Sequence, residues 1–275
     1  GAPSSPPPAR MINQACIFKV GDDCRQDVLA LQIIEMLKDG FEAAGLPLYL
    51  FPYGVLPTGY ERGIIEVVPR SQSRASLGET ADGGLYEIFC ATYGNPGSPR
   101  FEEARYNFIA SCAGYAVASF ILQSKDRHNG NILLDEDGHL IHIDFGFIFD
   151  ISPGGNLGFE SAAFKLSHEM TQLIDPGGTK TSAHYKLFES LVVRGYLTAR
   201  TNMDGIIAAV EMCVESGLPC FGYGQPVEHL RKRFQPDLSD VQAANFIIKR
   251  VRDAYGKWTT GLYDVVQYLQ QGISK

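Results

Sequence analysis

Two short polar motifs that flank a predicted β-hairpin constrain this chain more than any other feature. The first motif is DRHNGN at residues 126–131, and the second is DFG at residues 144–146. Between them, two apolar runs on either side of an Asp-Glu-Asp-Gly turn predict a pair of antiparallel strands over residues 132–143. Because a hairpin brings its two ends together, we expect Asn131 and Asp144 to lie side by side. An amide oxygen beside a carboxylate is a ligand set suited to Mg²⁺.

The spacing of the motifs is that of an ATP-dependent phosphotransferase. Asp126 precedes Asn131 by five residues, as in the loop H-R-D-L-x-x-x-N of protein kinases, and Asp144 opens the DFG that follows it there. Here the loop begins with Asp-Arg-His rather than His-Arg-Asp. Taken singly, a capped polar loop and a simple turn would account for the two motifs. Their occurrence together at this spacing favours the catalytic interpretation.

The titratable neighbours of the motifs divide into chemical and structural candidates. His128 titrates near neutral pH and is a candidate base, with Asp126 holding or polarising it or orienting the attacking hydroxyl. Arg127 is expected to be structural, paired with a nearby carboxylate. His142 is expected to be a satisfied structural histidine, and His139, beside the turn glycine, to be exposed.

Composition describes an ordinary core-forming protein. The 275 residues are 45% hydrophobic and carry a net charge of −7, which argues against nucleic acid as the main partner. No apolar run is long enough to predict a transmembrane helix, and no signal peptide is visible. The six cysteines form no CxxC pair, so we expect a reduced intracellular compartment.

A lysine in an apolar strand marks the first folded segment. Residues 14–20 read as a strand in which Lys19 lies between Phe18 and Val20. A lysine there is costly to bury unless it meets an anion. We interpret Lys19 as a ligand of ATP phosphate, and an exposed lysine on an edge strand is the alternative.

Strands and one helix are predicted for the rest of a small first lobe. Residues 1–10 are rich in Pro and Ser and are expected to be a linker or a disordered segment. A helix is predicted next, over residues 24–44, with Asp22 or Asp23 as its N-terminal cap. Two strands follow, over 48–53 and 63–68, with a turn between them at Pro57 and Gly59. Residues 70–84 are expected to form a loop.

The second lobe is predicted to be mainly helical. A long helix is expected over residues 101–123, and residues 147–166 lack periodicity and are expected to form a functional loop. Further helical patterns cover residues 184–198, 202–216, 226–234, 239–255 and 258–271.

Three stretches together resemble the phosphatidylinositol 3-/4-kinase family. They are IFKVGDDCRQD at residues 17–27, DRHNGN at 126–131 and HIDFG at 142–146. The resemblance covers residues 14–275, and within the family it is strongest to the alpha group of type III phosphatidylinositol 4-kinases. The stretches that support this narrower resemblance are 152–158, 194–197, 218–221, 243–247 and 263–268.

The resemblance implies an α+β, two-lobed protein-kinase-like fold with ATP between the lobes. Residues 11–68 would form a small, partly truncated β-containing N-lobe. Residues 69–275 would form a larger, mainly helical C-lobe with the catalytic loop, the activation loop and a C-terminal helix. The cofactors would be ATP and Mg²⁺, with Mn²⁺ as an alternative metal.

The resemblance also assigns roles to residues of the nucleotide site. Lys19 would contact ATP phosphate, and Asp27 and Tyr53 would line the inner part of the pocket. Glu66 and Val68 would form the hinge, where backbone groups pair with adenine. Asn131 and Asp144 would bind the metal, and His128 would act as the base on the inositol hydroxyl, in the place that the aspartate holds in protein kinases.

Charge in the loop 147–168 indicates the substrate. Its one permanent cation is Lys165, whereas a phosphorylated inositol lipid would require several Lys or Arg. We therefore expect unphosphorylated phosphatidylinositol in a membrane surface as substrate. The choice of the 4-hydroxyl over the 3-hydroxyl rests on resemblance alone.

Location and partners are expected to follow from a lipid substrate. The resemblance implies a cytoplasmic enzyme that binds membranes peripherally, at the plasma membrane, with scaffold or membrane-recruiting proteins and without nucleic acid. The segment 255–271 would be a core helix or a helix at the membrane interface.

One departure from the family leaves other functions open. Family members have two further strands and a phosphate-covering loop before the lysine strand, and only thirteen residues precede Gln14 here. The alternatives are a phosphatidylinositol-kinase-like protein kinase and an incomplete, non-catalytic kinase module.

Overall fold

The computed structural model describes residues 14–80, 83–153 and 163–256. Within these ranges the chain forms two three-stranded antiparallel sheets and nine α-helices. The first sheet and one helix make the small lobe, and the remaining helices make the larger one. The predicted α+β, two-lobed fold is therefore confirmed.

The first sheet carries Lys19. Its strands are β1 (Cys16–Val20), β2 (Val55–Gly59) and β3 (Arg62–Glu66), in the order β1-β3-β2. Lys19 pairs with Gly63 in register, and it is the one residue of β1 that is not exposed. The strand predicted over 14–20 is confirmed, and its lysine faces the interior of the molecule.

Helix α1 (Arg25–Ala43) lies next in the chain and confirms the predicted helix. Its buried face includes Leu29, Ile33, Leu37 and Phe41, at helical spacing. The predicted aspartate cap is wrong, because Cys24 occupies the N-cap position without a side-chain cap bond. The Asp23 carboxylate instead accepts from the Arg25 backbone and side chain, and Asp22 pairs with Lys19.

The strand predicted over residues 48–53 is wrong. This segment joins neither described sheet and instead packs directly on α4 (Pro99–Leu122). Gly114 permits that approach, since an added Cβ would lie 2.6 Å from the Tyr49 carbonyl oxygen. The Tyr115 hydroxyl accepts from the Phe51 amide at 3.2 Å. A helix side chain therefore satisfies a backbone group that a strand neighbour would otherwise have bound.

The predicted turn at Pro57 and Gly59 is also wrong, since both residues lie within β2. The chain reverses at Tyr60 and Glu61 instead, with Glu61 at φ 49°. The loop predicted over 70–84 contains β4 (Ser71–Ser73) and α2 (Arg74–Thr80).

The hairpin between the two motifs is confirmed. Strands β5 (Ile132–Asp135) and β6 (Leu140–His142) pair antiparallel, with Ile132 opposite His142, and β4 adds to the outer side of β5. In the turn, the Asp135 carboxylate accepts from the backbone amides of Asp137 and His139. The same carboxylate contacts the His139 ring at 2.9 Å, and that ring stacks on Tyr49. The expectation that His139 is simply exposed is wrong.

Helix α4 is the centre of the larger lobe. Every residue from Phe108 to Leu122 is buried, and Ser98 caps the helix by accepting from the Phe101 amide. The other helices are α3 (Leu85–Tyr93), α5 (His168–Ile174), α6 (Ala183–Thr201), α7 (Met203–Glu211), α8 (Pro226–Phe234) and α9 (Asp240–Gly256).

Most predicted helices of this lobe are confirmed. The pattern over 202–216 contains α7 followed by a separate 3₁₀ turn at Val214–Ser216. The predicted segments 1–10 and 258–271 lie outside the described residues. Among the helices that the structure describes, none combines the length and the apolar character needed to cross a membrane.

Candidate active site

The two motifs form one site because the chain segments that carry them run side by side. The Phe149 amide donates to the Leu122 carbonyl at 2.7 Å, and the Lys125 amide donates to the Phe147 carbonyl at 2.9 Å. At the other end, the Ile143 amide donates to the Asn131 carbonyl at 3.1 Å. The hairpin therefore brings the DRHNGN and DFG motifs together, as the sequence predicts.

Both motifs contain an aspartate in the left-handed region of the backbone. Asp126 has φ 61° and Asp144 has φ 60°. A residue other than glycine adopts this conformation at an energetic cost, and such residues cluster at functional sites.

Arg127 fastens the two motifs to each other. Its guanidinium donates to the backbone carbonyls of Lys125 at 2.9 Å, Ile143 at 2.6 Å and Asp144. Its Cζ also lies 5.2 Å from the centre of the Phe145 ring. Arg127 is 2% exposed, so the structural role predicted for it is confirmed, with backbone carbonyls as the partners found here.

Asp27 and Tyr53 hold the backbone of the DFG motif. An Asp27 carboxylate oxygen accepts from the Phe145 amide at 2.7 Å, and the Tyr53 hydroxyl accepts from the Asp144 amide at 3.1 Å. Burial raises the pKa of Asp27, while the Phe145 amide and Lys19 oppose that shift. Both residues therefore contact the backbone of the DFG motif, and their part in nucleotide binding stays a prediction.

Gln26 belongs to the same arrangement and was missed by the sequence analysis. It is 2% exposed, and its amide nitrogen donates to the carbonyls of Phe145, at 3.2 Å, and Gly146. Its amide oxygen accepts from the Cys220 amide at 3.0 Å. The available signal was a polar residue beside Asp27 at the start of an apolar helix face.

Lys19 and Asp144 face each other across the site. The Lys19 Nζ lies 3.8 Å from Asp144 Oδ2 and 3.1 Å from Asp22 Oδ2. Burial acts to lower the pKa of Lys19, but Asp144, Asp27 and Asp22 outweigh it and the pKa rises. The lysine is therefore a permanent cation beside a carboxylate that is 44% exposed.

Asn131 and Asp144 carry oxygen atoms of the kind that could hold a divalent cation. The Asn131 amide nitrogen donates to the Asp126 carbonyl at 3.1 Å, which directs the amide oxygen away from that carbonyl. Asp144 Oδ1 accepts from the Gly146 amide at 3.3 Å. One neutral oxygen ligand and one carboxylate are the hard donors that Mg²⁺ takes when substrate phosphates complete its coordination.

His128 and Asp126 lie together, and the ring has a defined orientation. The His128 Nδ1 accepts from the Gly130 amide at 3.0 Å, and its Nε2 lies 4.0 Å from Asp126 Oδ2. Burial lowers the pKa of His128, and the Asp126 carboxylate opposes that shift. The charge of Lys165 also acts to lower the pKa of His128, so the predicted substrate-loop cation lies in the vicinity of this ring.

His142 has no contact that a reaction would use. It is 4% exposed and stacks on Tyr115, with ring centroids 4.7 Å apart. Its Nδ1 has no hydrogen-bond partner among the described residues, so His142 is a buried structural histidine whose ring is not fully satisfied within that part of the chain.

Of the predicted hinge residues, Glu66 is the last residue of β3 and Val68 lies two residues beyond it. The Glu66 amide donates to the Gly54 carbonyl at 2.8 Å, and its carboxylate accepts from the Gly54 amide at 2.7 Å. Val68 is buried, and its carbonyl accepts from the Ser71 hydroxyl at 2.9 Å.

Comparison with known proteins agrees with this geometry. A family model described as phosphatidylinositol 3- and 4-kinase matches residues 13–223. Phosphatidylinositol 4-kinase alpha 1 of Arabidopsis thaliana is 67% identical over 95% of this chain, and phosphatidylinositol 4-kinase alpha 2 of the same plant is 63% identical over 95%. Phosphatidylinositol 4-kinase STT4 of Saccharomyces cerevisiae is 48% identical over 94%.

These relatives are longer proteins. The chain spans 13%, 48% and 14% of their respective lengths. The family model covers most of the chain, including the Lys19 strand and both catalytic motifs. The chain therefore belongs to the phosphatidylinositol 3- and 4-kinase family.

Proposed function

We propose that this chain is the catalytic part of a lipid kinase that transfers the ATP γ-phosphoryl group to the 4-hydroxyl of phosphatidylinositol. The observation that carries the proposal is the convergence of Lys19, Asn131 and Asp144 at the junction of the two motifs. Relatives whose names state phosphatidylinositol 4-kinase support the choice of the 4-hydroxyl.

The phosphate end of the site would act by positioning and by charge. Lys19, a permanent cation, would bind ATP phosphate oxygens and give up part of its contact with Asp144. Asn131 and Asp144 would hold Mg²⁺, with Mn²⁺ as an alternative, and the metal would neutralise charge on the phosphates. Asp27, Tyr53 and Gln26 would keep the DFG backbone fixed during transfer.

The hydroxyl end of the site consists of Asp126 and His128. Because Nδ1 of His128 accepts from Gly130, a neutral ring bears its proton on Nε2 and presents a donor there. We propose that Asp126 accepts the proton of the inositol hydroxyl and that His128 donates from Nε2 to the transferring phosphoryl group. The base role expected for His128 from the resemblance would require the Gly130 bond to break.

Adenine would use the backbone groups that the hinge leaves available. The Glu66 amide and the Val68 carbonyl already have partners, at Gly54 and Ser71. We therefore propose that adenine pairs with the Glu66 carbonyl and the Val68 amide.

The substrate, location and domain boundaries belong to the same proposal. Lys165 beside His128 is one cation near the acceptor site, which suits a lipid with a single phosphodiester. We propose that the enzyme binds peripherally to a cytoplasmic membrane surface and that scaffold proteins recruit it to the plasma membrane. We also propose that its two lobes comprise residues 11–68 and 69–275.

Analysis of the reaction product tests the proposal. The chain is incubated with phosphatidylinositol vesicles and labelled ATP, and the lipid headgroup is released and identified. Label in position 4 of inositol is expected. Label in position 3 would overturn the regiochemistry, and label in protein would favour a protein kinase. An absence of thermal stabilisation by Mg·ATP would favour the non-catalytic module.

A further inference from the structure

A second polar cavity lies at the base of the catalytic loop, and the reaction described above does not use it. Its volume is about 360 Å³, which is within the range of small-ligand pockets. It lies between the end of α4, the end of α8 and the middle of α9. The lining residues are Phe120, Gln123, Ser124, Lys125, Ala163, Lys232, Arg233, Gln235, Phe246 and Arg250.

The charge of the lining has one sign. Four of the ten residues are the cations Lys125, Lys232, Arg233 and Arg250, and none is acidic. The whole chain has a net charge of −7, so the positive charge of this cavity is opposite in sign to the net charge of the protein. Such a cavity attracts anions.

Two buried polar groups among the lining residues have no hydrogen-bond partner among the residues that the structure describes. Arg233 is 8% exposed, and none of its three guanidinium nitrogens has a hydrogen-bond partner in the described part of the chain. Ser124 is 7% exposed, and its hydroxyl also has none there. Buried polar groups are nearly always hydrogen-bonded, so two unsatisfied groups beside one cavity indicate a ligand with acceptor oxygens.

The buried position of Arg233 is not explained by a role in stabilising the C-terminal end of helix α8. Cations in a last turn usually stabilise the exposed carbonyls of a helix C-terminus. Here Arg200 already binds the carbonyls of Phe234 at 2.8 Å and Gln235 at 3.1 Å. Arg233 instead lies over the Phe149 ring, at 5.8 Å, and burial lowers its pKa to about 10 although Asp150 opposes that shift.

We propose that this cavity binds a phosphate group, supplied by a phospholipid headgroup or by a soluble phosphate. A phosphate offers acceptor oxygens to Arg and Lys donors and to the Ser124 hydroxyl. Phe120 and Phe246 add an apolar wall, with ring centroids 6.0 Å apart, that suits an organic substituent on the phosphate.

Occupation of the cavity would act on the catalytic loop through Lys125. That residue directly precedes Asp126, and its Nζ donates to the carbonyls of Phe149 and, at 3.0 Å, Ile151. A phosphate in the cavity therefore contacts a side chain that ties the catalytic loop to the segment after DFG. The binding itself does not depend on the proposed function and is measured without turnover.

Calorimetric titration with inorganic phosphate, using the full chain, tests the proposal. The cavity variant replaces the exposed cations, Lys232→Gln with Arg250→Gln. The matched control, Arg231→Gln with Lys249→Gln, removes the same charge from neighbouring exposed positions on the same two helices. We expect the cavity variant to bind phosphate at least about tenfold more weakly and the control to bind as the parent does. Equal affinity in the two variants, or no binding by the parent, would overturn the proposal.

Two further variants separate this site from the nucleotide site and test the buried cation. Lys19→Met removes the proposed ATP ligand and is expected to leave phosphate binding here unchanged. Loss of binding in Lys19→Met would place the phosphate at the nucleotide site instead. Arg233→Met is expected to fold, because an apolar side chain removes the desolvation cost of a buried charge that has no hydrogen-bond partner among the described residues. It should lose phosphate binding, and retention would contradict the role of Arg233.

Vesicle sedimentation identifies the source of the phosphate. Vesicles of phosphatidylcholine with phosphatidic acid are compared with vesicles of phosphatidylcholine alone. We expect the parent to bind the anionic vesicles more strongly. If the cavity variant loses this preference and the control keeps it, the phosphate is that of a lipid headgroup. If the parent binds inorganic phosphate in solution but does not prefer the anionic vesicles, the ligand is a soluble phosphate.

Discussion

The Nδ1 atom of His128 accepts a hydrogen bond from the backbone amide of Gly130 at 3.0 Å. This contact places the proton of the neutral ring on Nε2, which faces Asp126 at 4.0 Å. In the proposed mechanism His128 would therefore donate from Nε2, and the Asp126 carboxylate would accept.

The roles of Asp126 and His128 can be separated by substitution. Asp126→Asn is expected to lower kcat for lipid phosphorylation by about 10²–10⁴-fold, because the proton acceptor is lost. His128→Gln keeps an N–H donor and should retain more activity than His128→Ala. If the Gln and Ala variants are equally inactive while Asp126→Asn is active, His128 is the base.

Asp144 and Lys19 are the residues that we propose act on the ATP phosphates. Asp144→Ala is expected to abolish measurable turnover, and Lys19→Met to lower kcat/KM for ATP by about 10²-fold or more. Initial rates at varied Mg·ATP check both. The control is Lys38→Met on α1, whose partner is the local Glu35. Near-parental rates in Asp144→Ala would show that Asp144 is not a ligand of the metal.

Gln26 is expected to act as a positioning residue through the DFG backbone. Gln26→Leu leaves two carbonyls and the Cys220 amide unsatisfied, so we expect kcat to fall about tenfold while KM for ATP changes little. The control is Gln32→Leu, an exposed position on the same helix. A rise in KM alone, with kcat unchanged, would contradict a role in fixing the motif.

The burial of the His142 ring leads us to expect that the protein loses stability in acid. Burial lowers its pKa well below the ordinary value, so below about pH 6.5 the unfolded chain binds a proton that the folded chain does not. The free energy of unfolding therefore falls as pH decreases, by at most about 1.4 kcal/mol per pH unit for one group.

Chemical denaturation from pH 7.5 to 5 compares the parent with His142→Phe, which keeps a ring beside Tyr115. We expect the variant to lose less stability on acidification. An identical pH dependence in both proteins would show that another group is responsible.

Two glycines give opposite predictions for the same substitution. Gly114→Ala is expected to destabilise the fold by about 1–3 kcal/mol, because the new Cβ would lie 2.6 Å from the Tyr49 carbonyl oxygen. Gly205→Ala in α7 meets only Met36 at 3.6 Å and should stabilise the helix by about 0.5 kcal/mol. Thermal unfolding checks both, and equal effects would contradict the close approach on α4.

Local pattern was enough to predict that the two polar motifs meet at one end of a hairpin. The spacing of Asp126, Asn131 and Asp144 and the hairpin between them are local features, since turn residues and strand periodicity decide whether the ends of a hairpin meet. The same holds for α1 and most helices of the larger lobe, whose apolar faces repeat within a few turns.

Tertiary structure decided the features that depend on distant partners. The segment 48–53 has the composition of a strand but packs on α4, because Gly114 allows backbone contact and Tyr115 supplies a hydrogen bond. Gln26 gains its role from Phe145 and Cys220, which are more than a hundred residues away. The orientation of the His128 ring and the burial of the Arg233 guanidinium likewise depend on the folded geometry, because only the fold determines which atoms come into contact.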